Sequence, residues 1–239
     1  MGNGDHVTLL QQTTSTYAVA LLPKLDLLKS IQYDWLYLPR LIHLFQRETL
    51  DLMGIDPAKI IEADRDTYIE ADMLIAPSFG SKSVYTPRWA IEYLQKTLMV
   101  PAATGPGFSK KVFVSRQKAA YRRVLNEDDV FALFQPLGFK RYNLEDLKFV
   151  EQVRLFQNAE VVVSFNSAGL TNLIFSKPGT HVIEIFQEHE ENYFCYLSQT
   201  LHLKYDCLKT TPLKKNSGYT NTTVPLELIK DLIKRKFHN

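Results

Sequence analysis

Residues 161–186 read VVVSFNSAGLTNLIFSKPGTHVIEIF. Two apolar runs rich in β-branched residues, Val161–Val163 and Val182–Phe186, enclose a patch of small and polar residues, Ser164-Phe165-Asn166-Ser167-Ala168-Gly169. Short apolar runs of this kind are strands buried on both faces, as in a parallel sheet covered by helices. The segment between them, Gly169–Phe175, reads as a helix. A strand, a small-residue turn, a helix and a second strand form one unit of a parallel α/β fold.

The turn itself has two open readings. Small side chains let a ligand approach the backbone. Asn166 or Ser167 can cap the following helix, whose free N–H groups and partial positive charge suit phosphate. Equally, Asn166, Ser167 and Gly169 can serve a tight turn that satisfies only its own backbone.

Working outward, strand-like and helix-like stretches alternate almost throughout. Val7–Leu10, Trp35–Leu38, Ile60-Ile61 and Met73–Ala76 read as strands, and Tyr17–Leu28, Leu41–Met53 and Pro87–Met99 as helices. Gly54 is placed to end the second of these helices in a left-handed conformation. Proline and glycine then cluster in Pro101-Ala102-Ala103-Thr104-Gly105-Pro106-Gly107, and a domain boundary is expected at about residue 105. Beyond it come strands at Lys111–Ser115 and Phe139–Tyr142, and helices at Asn126–Gln135 and Leu144–Asn158. After the opening stretch, a helix fits Glu191–Leu201, a strand Lys204–Cys207 and an amphipathic helix Pro225–Lys236. The expectation is an α/β protein of two Rossmann-like domains with mostly parallel sheets, residues 1–104 and 105–239, the first one short.

The second polar constellation is VFVSRQKAAYRRVLNEDDVF, residues 112–131. Arg116 stands at a strand end, with Lys118, Arg122 and Arg123 close behind. Guanidinium groups match phosphate oxygens two at a time. The alternative is a solvated basic loop. Asn126 followed by Glu127, Asp128 and Asp129 reads as a helix start, the acids favouring the dipole. No Asp-x-Asp pair follows the strand Lys111–Ser115, so no metal is expected there.

A net charge of +2 gives no reason to expect nucleic-acid binding. No apolar run reaches the ~20 residues that span a bilayer, and MGNGDHVTLLQQ is not laid out as a signal peptide. The two cysteines, Cys195 and Cys207, make neither a disulfide framework nor a metal motif. A cytoplasmic setting is expected. Lys230, Lys234, Arg235 and Lys236 on one side of the last helix raise a weak peripheral contact with anionic lipid. Packing of its apolar side on a domain is the other reading.

Together these stretches resemble the family 61 glycosyltransferases, which include capsular polysaccharide biosynthesis proteins. SRQKAAYRRVLNE (115–127), Gly138-Phe139 and FVEQVRLFQNAEVVVSFNSAGLTNLIFSKPGTHVIEIF (149–186) carry the likeness, with FQRETLDLMGI (45–55) and ADMLIAPS (71–78) in order upstream. The resemblance implies a GT-B architecture, two Rossmann-like domains facing a cleft. It implies inverting transfer of a sugar from a nucleotide-sugar donor to a glycan acceptor, without an essential metal or other cofactor. The donor would sit on the second domain and the acceptor on the first. Arg116 and Arg122 fall on the family's two arginines, Asn126 on its Asn-Glu pair and Glu151 on its Glu-Gln pair. Ala168, Gly169, Leu170, Thr171 and Asn172 match its small-residue turn. With Asn166 and Ser167 these form the expected donor site, and Glu184 at a strand end would bind a ribose hydroxyl or stand on the rim.

The departures are specific. The family's His-Gly-Ala-Gly-Leu is replaced by Asn166-Ser167-Ala168-Gly169-Leu170, and an upstream His-Trp-x-x-Asp-x-Leu-Pro stretch finds only Thr16–Pro23. Inverting transfer needs a base, and His6, His43, His181 and His189 are the histidines to weigh. A relative that keeps the fold without turnover is the alternative.

Overall fold

A computed structural model describes residues 6–9, 17–64, 66–78, 85–101, 107–186, 192–210 and 221–237. The chain forms two compact units, Met1–Met99 and Val100–Asn239. The expected boundary near residue 105 falls within 102–106, outside the described residues.

The first unit has four parallel strands in the order β3-β2-β1-β4. In chain order it runs β1 (His6–Leu9), a π-helical turn (Tyr17–Leu21), α1 (Lys24–Leu27), β2 (Trp35–Pro39) and α2 (Leu44–Leu52). A 3-10 turn, β3 (Ile60–Ala63), β4 (Met73–Ile75) and α3 (Arg88–Leu98) complete it. The single helix expected over Tyr17–Leu28 is instead two short pieces. Pro23 stands at the start of the second piece, where it lacks the N–H that a continuous helix requires. Gly54 has φ +72°, and the Ile55 N–H bonds back to the Leu50 carbonyl, so α2 ends as expected. Leu36 and Leu38 alternate into the core of this unit, and Leu21, Leu22, Leu50 and Leu94 are also fully buried.

The second unit has five parallel strands in the order β6-β5-β7-β8-β9. It runs β5 (Lys111–Val114), α4 (Glu127–Phe134), β6 (Lys140–Tyr142), α5 (Phe149–Asn158) and β7 (Val161–Phe165). A 3-10 helix (Ala168–Phe175), β8 (His181–Phe186), α6 (Tyr193–Thr200), β9 (Lys204–Lys209) and α7 (Leu226–Phe237) follow. From β5 the chain moves to β6 on one side and then crosses to β7 on the other. Strand order therefore reverses between β5 and β7, and ligands of open α/β sheets sit beyond the strand ends at such a point.

Strand alternation divides the side chains of this sheet between two faces. Phe113, Val163, Phe165, Ile183 and Ile185 join Val130 and Phe134 of α4 and Ile229, Leu232 and Ile233 of α7 in one fully buried cluster. The apolar side of α7 is thus used up in the core, and Lys236 pairs with Asp206 of β9 at 2.6 Å. That packing replaces a lipid role for the helix's apolar face. Ser164 and Glu184, neighbours in register, point to the opposite face. Among the described residues no helix is long and apolar enough to cross a membrane.

Candidate active site

The turn after β5 is built around a buried carboxylate. Glu127, in the first turn of α4, accepts from the Ser115 hydroxyl at 2.5 Å and from the Arg116 N–H at 2.9 Å. Burial pushes its carboxyl above the ordinary range, although both hydrogen bonds act in the opposite direction. Ser115 also extends the pairing with β6, its N–H bonding to the Tyr142 carbonyl at 2.9 Å. Arg116 leaves this frame with its side chain only 7% exposed. Its guanidinium donates to three carbonyls: Arg122 at 3.0 Å, Tyr121 at 2.9 Å and Asn166 at 3.4 Å. Carbonyl dipoles orient this cation without cancelling its charge. Burial, with the Arg122 charge beside it, lowers its pKa from the ordinary value.

Arg122 has φ +54°, a left-handed conformation that costs a side-chain-bearing residue roughly 1–2 kcal/mol. The bend turns its carbonyl toward Arg116 and lets its own guanidinium reach the Asn166 Oδ1 at 3.4 Å. A distant segment holds the loop in place. Asn221 accepts from the Arg123 N–H at 2.9 Å, and Thr222 exchanges backbone bonds with Arg123 and Leu125. Lys118 pairs with Asp146 in the β6–α5 connection.

The turn after β7 carries no formal charge. Asn166 is nearly buried, and its Nδ2 donates to the Glu184 Oε1 at 2.7 Å. The Tyr205 hydroxyl of β9 donates to the Glu184 Oε2 at 2.6 Å. Burial, then the hydrogen bond to Glu184 and that carboxylate's charge, push the Tyr205 phenol far above its ordinary value. The following helix is of the 3-10 type, and Ser167 at its cap makes no side-chain capping bond. Asn166 does not cap it either, because its amide is held by Glu184 and Arg122. The expected α-helical N-terminus is therefore replaced by a narrower 3-10 helix, and the guanidinium groups supply the formal positive charge at this end of the sheet.

Two guanidinium groups thus converge on one bend at the reversal point of a parallel sheet. A model of the glycosyltransferase 61 family matches residues 18–183. The chain belongs to that family. The EGF domain-specific O-linked N-acetylglucosamine transferase of Drosophila melanogaster is 25% identical over 117 residues, 48% of this chain and 22% of the relative. The protein O-linked-mannose beta-1,4-N-acetylglucosaminyltransferase 2 of Bos taurus is 34% identical over 97 residues, 39% and 17% of the two lengths. The chain therefore matches about a fifth of the length of these curated relatives. Among solved structures, E. coli heptosyltransferase WaaC with ADP is similar at TM-score 0.49 and 11% identity, over 98% of each chain.

The remaining residues marked out in this family 61 chain fall into two groups. Arg116, Arg122, Asn166, Ser167 and Ala168 lie together at the ends of β5 and β7, with Ala168 exposed. The rest are committed within the protein. Asn126 donates to the Val224 carbonyl at 2.8 Å and accepts from the Val224 N–H at 2.9 Å. Glu151 accepts from the Lys148 N–H at 2.8 Å, closing the first turn of its own helix. Asn172 donates to the Gln152 Oε1 at 3.1 Å and to the Gly169 carbonyl at 3.2 Å, and Leu170 is fully buried. Thr171 is half-buried. Gly169 packs closely, since a Cβ there would lie 2.8 Å from the Leu144 Cδ1 and the leucine side chain would have to shift.

Glu184 is fully buried inside β8, so the rim placement is corrected: Ile185 and Phe186 continue the strand beyond it. Of the histidines, His181 stands at the amino end of β8, away from the crevice, with its Nε2 2.6 Å from Asp206. His43 is exposed at the start of α2 and stacked on Phe45. His6 begins β1, and His189 lies outside the described residues. Ser115 and Tyr205 carry no sequence signal as builders of the site. Glu127 is marked in the sequence as one of three acids at a helix start and as the Glu of the family's Asn-Glu pair, and neither signal says that its side chain turns inward.

Proposed function

We propose that this chain is a GT-B glycosyltransferase that holds a nucleotide-sugar donor at the reversal point of its second unit. It passes the sugar, with inversion, to a hydroxyl of a glycan acceptor. The observation that carries the reading is the convergence of Arg116 and Arg122 on Asn166. As the bond to the sugar breaks, negative charge gathers on the departing nucleoside diphosphate. Cations already fixed at that place stabilise it without reorganisation, and the reading calls on no metal or other cofactor. Each charge-assisted hydrogen bond contributes ~1.5–3 kcal/mol. Membership of family 61 supports the reaction class.

The test is calorimetric titration of ADP, GDP and UDP into the wild type and Arg116→Ala. The variant is expected to bind the preferred diphosphate about thirtyfold more weakly, a loss of ~2 kcal/mol. Equal affinities would remove Arg116 from the site.

A second reading is a relative that binds the nucleotide without turnover. It draws on His181, which is engaged with Asp206 at the amino end of β8, away from the crevice. Transfer and hydrolysis assays over a panel of nucleotide sugars separate the two. Diphosphate binding with no turnover favours the second.

A further inference from the structure

We infer that Glu184 is a positioning residue: it fixes which way the Asn166 amide faces, and through that amide it sets the Arg122 guanidinium at the crevice. The inference rests on the donor site proposed above, and its geometry is that of this chain's own residues. The two Glu184 carboxyl oxygens accept, one from the Asn166 amide and one from the Tyr205 hydroxyl. The Asn166 side chain has one donor end and one acceptor end of the same shape, and the network decides between them. With Glu184 at 2.7 Å the donor end must face the carboxylate. The acceptor end, Oδ1, then faces outward to Arg122 at 3.4 Å. Reversed, the amide would set N–H against guanidinium and a carbonyl against a carboxylate, two repulsive contacts.

Tyr205 secures the other end of the chain of bonds. Its hydroxyl donates to the Glu184 Oε2 at 2.6 Å, so the carboxylate is held from β9 while it holds β7. Glu184 is fully buried, and β8 runs between the two strands it joins. A sugar hydroxyl would have to displace one of these bonds to reach it. The carboxylate therefore acts behind the site, through Asn166, rather than on the donor.

Glu184→Gln is the measurement, because a glutamine in this position both donates and accepts and so removes one of the two contacts that fix the direction of the Asn166 amide. Calorimetry with the best-bound of ADP, GDP and UDP, and with its nucleoside, covers the wild type, E184Q, R122A and the double variant. E184Q is expected to weaken the diphosphate about fivefold, the scale of one net hydrogen bond, and to leave the nucleoside unchanged. In the R122A background it should cost nothing further, because the residue it positions is gone. Equal loss in both backgrounds, or equal loss for the nucleoside, would make Glu184 a general structural residue and overturn the inference.

Ligand-free NMR separates this outcome from failure of the donor site. In nitrogen-15-labelled protein the side-chain signals of Arg122 and Asn166 should move in E184Q, whatever the diphosphate does. Unmoved signals reject the positioning role. If R122A leaves diphosphate affinity intact, the donor site fails while the NMR still decides the relay. Should E184Q not fold, Asn166→Ala interrupts the same chain and enters the same cycle with R122A, and additive losses again overturn the inference.

Discussion

The turns after β5 and β7 lie side by side at the reversal point, yet they are built in opposite ways. The first is long, cationic and strained, and it keeps its shape through a buried carboxylate, a left-handed arginine and backbone bonds to residues 221–222. The second is short and uncharged, and it keeps its shape through a tight glycine contact and one amide pinned by Glu184. The difference follows from their loads. Two cations brought close repel and lose hydration, so the loop that carries them needs support from outside itself. A bend that presents only a carbonyl and an amide oxygen needs accurate packing and little else.

Substitutions can break this comparison. The largest effect is expected in the small turn. Gly169→Ala sets a methyl against Leu144 and should destabilise the protein by about 1–3 kcal/mol in urea denaturation, with Leu144→Ala recovering part of the loss. No loss would mean that the second turn tolerates packing changes as a solvated loop does.

A smaller effect sharpens the account of the arginine turn. Arg122→Gly and Arg122→Ala both remove the guanidinium and should weaken diphosphate binding alike. Glycine adopts φ +54° freely, so the glycine variant should be more stable than the alanine variant by about 1 kcal/mol in thermal unfolding. Alanine matching glycine would show that the bend stores no strain.

The smallest effect concerns Glu127. Its folded-state pKa is raised, chiefly by burial, so the unfolded chain ionises it more readily. Its contribution to stability is fully present below the unfolded value, about 4.5, and is lost as pH rises through the folded value. Glu127→Gln has no such titration. Wild-type stability relative to E127Q should fall as pH rises across that window, and a flat difference in urea titrations would contradict the assignment.

Much of this was legible beforehand. The strands were legible to within two residues, most plainly β5, β7 and β8, whose apolar runs suit central strands covered on both faces. The arginine turn and the small-residue turn were recognisable as polar segments at strand ends. The roles of individual residues were not. Asn126 was legible as a helix start, yet its amide serves Val224, 98 residues away. Glu184 was legible as a carboxylate near a strand end, to bind a ribose hydroxyl or stand on the rim; it lies buried within the sheet, because β8 continues past it and β9 pairs along its other side.

The sequence by itself determined the parallel α/β class, the succession of strands and helices, and two arginines within seven positions of one strand end. These are properties of periodicity and composition, which short windows hold completely. Only the tertiary structure decided that Glu127 turns inward beside Asp128 and Asp129, and that Asn166 faces Arg122 with its oxygen. Strand order and register choose the neighbours, and burial then makes each hydrogen bond's direction matter, since an inverted partner has no water to replace it.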